Sequence, residues 1–130
     1  MLLIDSTIYI DWFRNRIEPR EIIEPWIRAR AVAICGVIRA EVIRGVIRPR
    51  QKARIEELFD ALEETPTDYA LWADAAELAW TLDRKGIVLP LTDIVIAACA
   101  RRSNATLVTV DDHFLKIPGL NTLLDVPRFG

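Results

Sequence analysis

The sequence predicts an α/β domain of three layers, α/β/α, in which a mainly parallel central sheet is flanked by helices on both faces. Two observations carry this. Short apolar runs of strand character recur at residues 2–4, 31–34 and 106–110, and stretches with helical spacing of apolar residues separate them. Strands joined through helices imply right-handed crossovers, hence parallel pairing. At 130 residues and 52% hydrophobic content, the chain has ample material for one core without a metal or disulfide staple. A single domain over residues 1–130 is expected.

The first strand is the fully apolar Leu2-Leu3-Ile4, after which Asp5-Ser6 can cap a helix bearing Ile8, Ile10, Trp12 and Phe13. Pro19 suits a helix start, and Pro25 marks a reset or kink further along. Residues 31–34 form the second strand. Apolar positions 37, 38, 42, 43, 46 and 47 define a helical face with Glu41 near its middle, and Pro49 stops it. Residues 51–64 read as a second helix, with Ile55, Leu58, Phe59 and Leu62 on one side, so the two can pair as a hairpin. Thr65-Pro66-Thr67-Asp68 supplies a loop and a cap before a long helix through Leu82, expected to bury Trp72, Ala76, Leu78, Ala79 and Leu82, with Gly86 near its C-cap. Leu89 is extended ahead of Pro90, and Thr92 is placed to cap a helix over 93–102. Residues 106–110 concentrate β-branched side chains and form a strand. A short turn or helix follows from Asp111, and 121–126 is an edge-strand candidate.

The net charge of −2 excludes a uniformly basic nucleic-acid binder and leaves room for a local basic patch. Fourteen of the basic residues are Arg, ten of them between Arg14 and Arg54. Arg suits bidentate phosphate contact, but solvated helix faces explain most of this skew; Arg39, Arg44 and Arg48 are the ones expected beside a groove. Cys35 and Cys99 sit in apolar surroundings and read as core residues of a reducing compartment. No apolar run approaches the roughly 20 residues that span a bilayer, and the first strand leaves no room for a signal peptide. A cytoplasmic protein is expected, with no membrane partner. Trp12, Trp26, Trp72 and Trp80 are expected to pack in the core or an interface rather than to stack on a ligand.

Four acidic signals remain. Asp5 ends the first strand, Glu41 lies in an amphipathic helix, Asp93 opens the helix over 93–102, and Asp111 follows the last confident strand. Strand-to-helix turns are where open parallel sheets collect ligands. Each residue has a plainer role: Asp5 as a cap, Glu41 paired with Arg44, Asp93 on a helix dipole, Asp111 or Asp112 as a turn former. Together, in this order within one domain, they suggest a divalent-metal site. Mg²⁺ takes oxygen ligands, and Mn²⁺ accepts the same set. Without an ion such a cluster repels itself and raises at least one carboxyl pKa.

These residues sit in motifs that resemble the PIN-domain ribonucleases, and more narrowly the VapC-like toxins of bacterial and archaeal toxin-antitoxin pairs. The motifs are Leu3-Ile4-Asp5-Ser6-Thr7, Ala40-Glu41-Val42-Ile43-Arg44-Gly45, Pro90-Leu91-Thr92-Asp93-Ile94-Val95-Ile96-Ala97-Ala98 and Thr109-Val110-Asp111-Asp112-His113-Phe114, and the similarity runs nearly end to end. The resemblance implies that Asp5, Glu41, Asp93 and Asp111 are the metal-binding and catalytic quartet, supported by Thr7 and Thr109. It implies one or two Mg²⁺ or Mn²⁺ ions, RNA hydrolysis leaving 5′-phosphate and 3′-hydroxyl ends, a homodimer, and a cognate antitoxin whose C-terminal segment fills the acidic groove. His113 occupies a position where the family tolerates histidine and is expected as a structural or ligand-orienting residue. Asp111 is favoured over Asp112, which falls on a variable position.

Two other readings compete. A noncatalytic interaction module would use the acidic pocket to receive a basic partner segment. A phosphoacceptor receiver domain has similar length and topology, but it needs an acidic pair after its first strand and a late lysine at a strand end, and here Asp5 is single.

Overall fold

The computed structural model describes residues 1–130. Five strands, β1 (Leu2–Ile4), β2 (Val32–Cys35), β3 (Glu63–Thr65), β4 (Thr106–Val108) and β5 (Thr122–Leu123), form one sheet in the order β3-β2-β1-β4-β5. Every pairing is parallel, with Leu3 opposite Ala33 on one side and Leu107 on the other. The helices are α1 (Ser6–Arg14), α2 (Pro19–Arg28), α3 (Gly36–Arg44), α4 (Pro49–Asp60), α5 (Tyr69–Arg84) and α6 (Leu91–Arg102), with a 3₁₀ turn over Asp112–Lys116. The chain moves from β1 through β2 to β3, then returns to place β4 on the other side of β1. Right-handed crossovers on a sheet whose order reverses in this way leave helices on both faces, giving the α/β/α sandwich.

The central strands are short and apolar because both faces are covered. Leu2, Leu3, Ile4, Val32, Ala33, Ile34, Leu107 and Val108 are all buried. They join Ile38, Val42, Phe59, Leu71 and the run Ile94 to Ala100 in one core of 33 hydrophobic residues. Cys35 and Cys99 belong to it and are free thiols. Tyr9 packs edge-on against Trp12 and Phe59, with ring centroids 5.6 and 5.2 Å apart. No helix is long and apolar enough to cross a membrane.

Several elements differ from the sequence reading. The helix expected over 51–64 is α4, which ends at Asp60, and Glu63–Thr65 forms the edge strand β3 instead. This strand pairs through its backbone with Ala33, Ile34 and Cys35, and Arg30 and Arg39 pair with its two glutamates. The second strand is shifted by one residue, and α3 stops at Arg44 rather than at 47. Helix α5 turns Leu71, Ala75, Leu78 and Leu82 inward and leaves Trp72 and Ala76 exposed. Its sequence is apolar on several sides, so spacing alone did not single out the inner one. Thr92 lies inside α6, whose N-cap position is Pro90, and makes no cap hydrogen bond. Asp68 does cap α5, accepting from Leu71 N–H at 3.0 Å, and Gly86 follows with φ +76°.

Candidate metal centre

Sheet topology brings the acidic residues together. The strand order reverses between β2 and β4 at β1, and the crevice beyond the carboxyl ends of β1 and β4 is the topological switch point. Asp5 is the first residue after β1 and Asp111 the third after β4. Helix α6 leads into β4, so its first turn, which carries Asp93, starts at the same edge. Glu41 lies one and a half turns into α3, which grows directly out of β2.

Asp5 is the buried anchor, only 3% exposed. It occupies the N-cap position of α1, yet its side chain makes no cap bond. Its Oδ2 instead accepts hydrogen bonds from Thr7 Oγ1 at 2.9 Å and from Thr109 Oγ1 at 2.8 Å. Those hydroxyls offset the desolvation of a buried carboxylate and fix its orientation. Thr109 Oγ1 also accepts from Asp111 N–H at 3.0 Å, which ties the first acid to the last. Ser6 was not singled out from sequence. Its Oγ lies 3.5 Å from Asp5 Oδ1 and 3.3 Å from Glu41 Oε1, so one hydroxyl links two carboxylates from different elements. A serine beside the first Asp reads as part of a helix cap, and no local signal separates that role from this one.

On the other side, Asp111 caps the 3₁₀ turn, its Oδ1 accepting from His113 N–H at 2.9 Å. That geometry aims Asp111 at Asp93, while Asp112 is exposed and takes no part in the cluster. His113 Nδ1 lies 3.3 Å from Asp93 Oδ2 and 3.4 Å from Asp111 Oδ1. One ligand atom from each of Asp93, Asp111 and His113 falls within 4.8 Å of the others. A continuous polar chain therefore runs Glu41, Ser6, Asp5, Thr109, Asp111, His113, Asp93.

The electrostatics agree with this convergence. Burial pushes the Glu41 carboxyl above its ordinary value, and the charges of Asp5 and Asp93 push the same way against a hydrogen bond from Ser6. Burial likewise raises Asp93; the hydrogen bond to His113 opposes it, and the charges of Asp111 and Asp5 add to it. None of the four carboxylates forms an ion pair with Lys or Arg. Arg44 is exposed and forms no ion pair with Glu41, although its charge acts to lower the Glu41 carboxyl against the effect of burial. Arg39 does not serve the groove. It sits about 200° around α3 from Glu41, where it pairs with Asp60 and Glu64 and lies over the Phe59 ring. Of the tryptophans, Trp12 is buried and Trp26 stacks edge-on with Phe129 at 5.1 Å, whereas Trp72 and Trp80 are exposed on α5.

The donor set fits a hard divalent cation. Asp93 Oδ1, Asp111 Oδ2 and Glu41 Oε2 accept no protein hydrogen bond, and Asp5 Oδ1 has only the long Ser6 contact. Each carboxylate thus keeps an oxygen for a ligand that Mg²⁺ or Mn²⁺ suits.

Comparison with known proteins places this geometry. The family model for the PIN domain matches residues 2–120. The VapC ribonuclease Mb1587 of Mycobacterium bovis is 27% identical over 130 residues, covering 95% of this chain and 96% of that protein. Among solved structures, the DNA-bound VapBC of Salmonella typhimurium superposes with a TM-score of 0.78 at 24% identity, over 95% of this chain and 98% of the other. A toxin-antitoxin complex from Klebsiella pneumoniae gives a TM-score of 0.68 at 28% identity, over 92% and 95%.

Proposed function

The chain belongs to the PIN-domain family, and on that premise we propose that it is a metal-dependent endoribonuclease, the toxin of a toxin-antitoxin pair. The observation that supports the reading is that Asp93 and Asp111 converge with His113, linked through Thr109, Asp5 and Ser6 to Glu41, with none of the four carboxylates paired with Lys or Arg. Similarity over nearly the full length of a VapC ribonuclease supports RNA as the substrate. Asp5, Asp93, Asp111 and Glu41 hold one or two Mg²⁺ or Mn²⁺ ions. A bound ion of this kind supplies charge stabilisation at the phosphate and activation of the attacking water. Thr7 and Thr109 keep Asp5 in a fixed orientation, Ser6 couples Asp5 to Glu41, and Asp111 is held by its own turn.

The partner is a cognate antitoxin that places a basic side chain among the carboxylates, and both act in the cytoplasm. Similarity to a toxin-antitoxin complex supports such a partner. The chain pairs as a homodimer; the exposed stripe of Tyr69, Trp72 and Trp80 along α5 supports a self-association face.

Cleavage of RNA by the purified chain tests the reading. Addition of EDTA abolishes cleavage and excess Mg²⁺ or Mn²⁺ restores it. Cleavage that persists in Asp93→Asn with unchanged metal affinity contradicts the site assignment, and tight partner binding without metal-dependent cleavage of any RNA favours the noncatalytic module.

A further inference from the structure

We infer that His113 is itself a ligand of the divalent ion, which makes the centre a mixed nitrogen and oxygen site that prefers Mn²⁺ to Mg²⁺. This rests on the reading of the acidic quartet as a metal site.

The geometry at Nδ1 carries the inference. Octahedral coordination with bonds of about 2.1 Å places neighbouring ligand atoms about 3 Å apart and opposite ones about 4.2 Å apart. His113 Nδ1 stands 3.3 Å from an oxygen of Asp93 and 3.4 Å from an oxygen of Asp111. These are spacings of neighbouring ligands around one ion. They are long for charge-assisted N–H···O bonds, which cluster near 2.7–2.9 Å. Moreover, Nδ1 carries at most one hydrogen and cannot serve both carboxylates well. A cation held by the imidazole and the Asp93 and Asp111 carboxylates would remove that conflict, while Asp111 Oδ1 keeps its 2.9 Å bond from His113 N–H.

The backbone delivers the imidazole to this place. His113 N–H bonds Asp111 Oδ1 at 2.9 Å, and the next residue, Phe114, is buried in the core. The turn is therefore pinned on both sides of His113. The imidazole itself is 49% exposed, and its recorded hydrogen-bond and ion-pair contacts are with the two carboxylates. At this position the chain supplies a nitrogen beside two carboxylates. Nitrogen ligands favour metals later in the Irving–Williams order, whereas Mg²⁺ selects oxygen.

The chain contains a single histidine, so imidazole nitrogen coupling to bound Mn²⁺ reports on this residue alone once any affinity tag is removed. In pulsed electron paramagnetic resonance of the full chain loaded with Mn²⁺, a directly bound nitrogen is expected, and it disappears in His113→Ala. Calorimetry of the same proteins gives a Mn²⁺ affinity at least about 10-fold weaker in the variant, the lower end of what even outer-sphere losses cost, with a much smaller change for Mg²⁺. Bound Mn²⁺ without nitrogen coupling in the unsubstituted chain overturns the inference. Equal weakening for both metals does so too, since a residue that only orients the carboxylates acts on both alike. If the unsubstituted chain binds neither ion, or Asp93→Asn binds as well as the parent, the metal-site reading itself fails.

Discussion

Carboxylates serve opposite ends in two regions of this molecule. Elsewhere on the surface, Glu18, Glu24, Glu56, Asp60, Glu63, Glu64 and Asp68 each meet an Arg or Lys. At the carboxyl edge of the sheet, Asp5, Glu41, Asp93 and Asp111 converge without one, and their protein partners are hydroxyls, one backbone N–H and one imidazole. Those paired carboxylates are thus neutralised by neighbouring cations, whereas the edge carboxylates lie close enough for the charges of Asp5 and Asp93 to act on Glu41 and those of Asp111 and Asp5 to act on Asp93. Folding tolerates the second arrangement because Thr7 and Thr109 satisfy the buried Asp5, while the other three keep some contact with solvent. The difference teaches that the paired acids cancel their charge locally, whereas the edge cluster holds its charge without a Lys or Arg partner.

The largest effect expected from breaking this contrast is at Asp5. Asp5→Asn keeps the shape and removes the charge, and RNA cleavage falls by more than about 100-fold, beyond the range typical of outer-sphere losses; near-native cleavage in a folded Asp5→Asn would remove Asp5 from the centre. Thr109→Val comes next. It deletes the 2.8 Å bond to a buried carboxylate and the acceptor for Asp111 N–H. A stability loss of about 1–3 kcal/mol in urea unfolding is expected, together with weaker metal binding. An unchanged midpoint would show that the hydroxyl is dispensable.

The two regions should also respond to pH with opposite signs. Glu41 and Asp93 have carboxyls raised in the folded state, so the metal-free protein binds more protons folded than unfolded across that window. Their contribution is fully present below the unfolded carboxylate values, near pH 4, and is lost as pH rises through the raised folded values. Asp68 is the reverse: the hydrogen bonds from Arg102 hold its carboxyl below the ordinary value, so its contribution is present above the unfolded value and lost as pH falls through the folded one. In EDTA near neutral pH, Glu41→Gln therefore raises stability, by less than about 1 kcal/mol because the group is partly solvated. Destabilisation by that substitution, measured in urea, would contradict stored repulsion at the edge. Smallest of all, Lys52→Ala removes the 2.9 Å pair with Glu56, costs about 0.5 kcal/mol or less, and leaves cleavage unchanged.

What the sequence made legible follows the strength of its local signals. Apolar β1 and β4 announced themselves, as did the cap ahead of α5 and Pro19 at the start of α2, whereas Asp5 and Thr92 make no cap bond. Edge strand β3 did not: Glu63-Glu64-Thr65 has neither alternation nor bulk, and pairing with β2 makes it a strand. The inward side of α5 was read in part: Leu78 and Leu82 are buried as expected, but Leu71 and Ala75 rather than their neighbours Trp72 and Ala76 face the core, a choice that only tertiary packing makes. At the site, motif order suggested the four acids as a set, and the fold brings them to one edge of the sheet. The preference for Asp111 over Asp112 gained a physical basis only with the 3₁₀ turn and the bond to Thr109. Ser6 and the position of the His113 ring are consequences of the fold, and a linear reading has no access to them.

Titration calorimetry of Mn²⁺ and Mg²⁺ into the metal-stripped chain and into Asp93→Asn bears most directly on the claim that this edge lacks a cation. The account predicts saturable binding of at least one ion by the unsubstituted chain and a loss of about 10-fold or more in the variant. No saturable binding of either ion, or equal binding by both proteins, would contradict it.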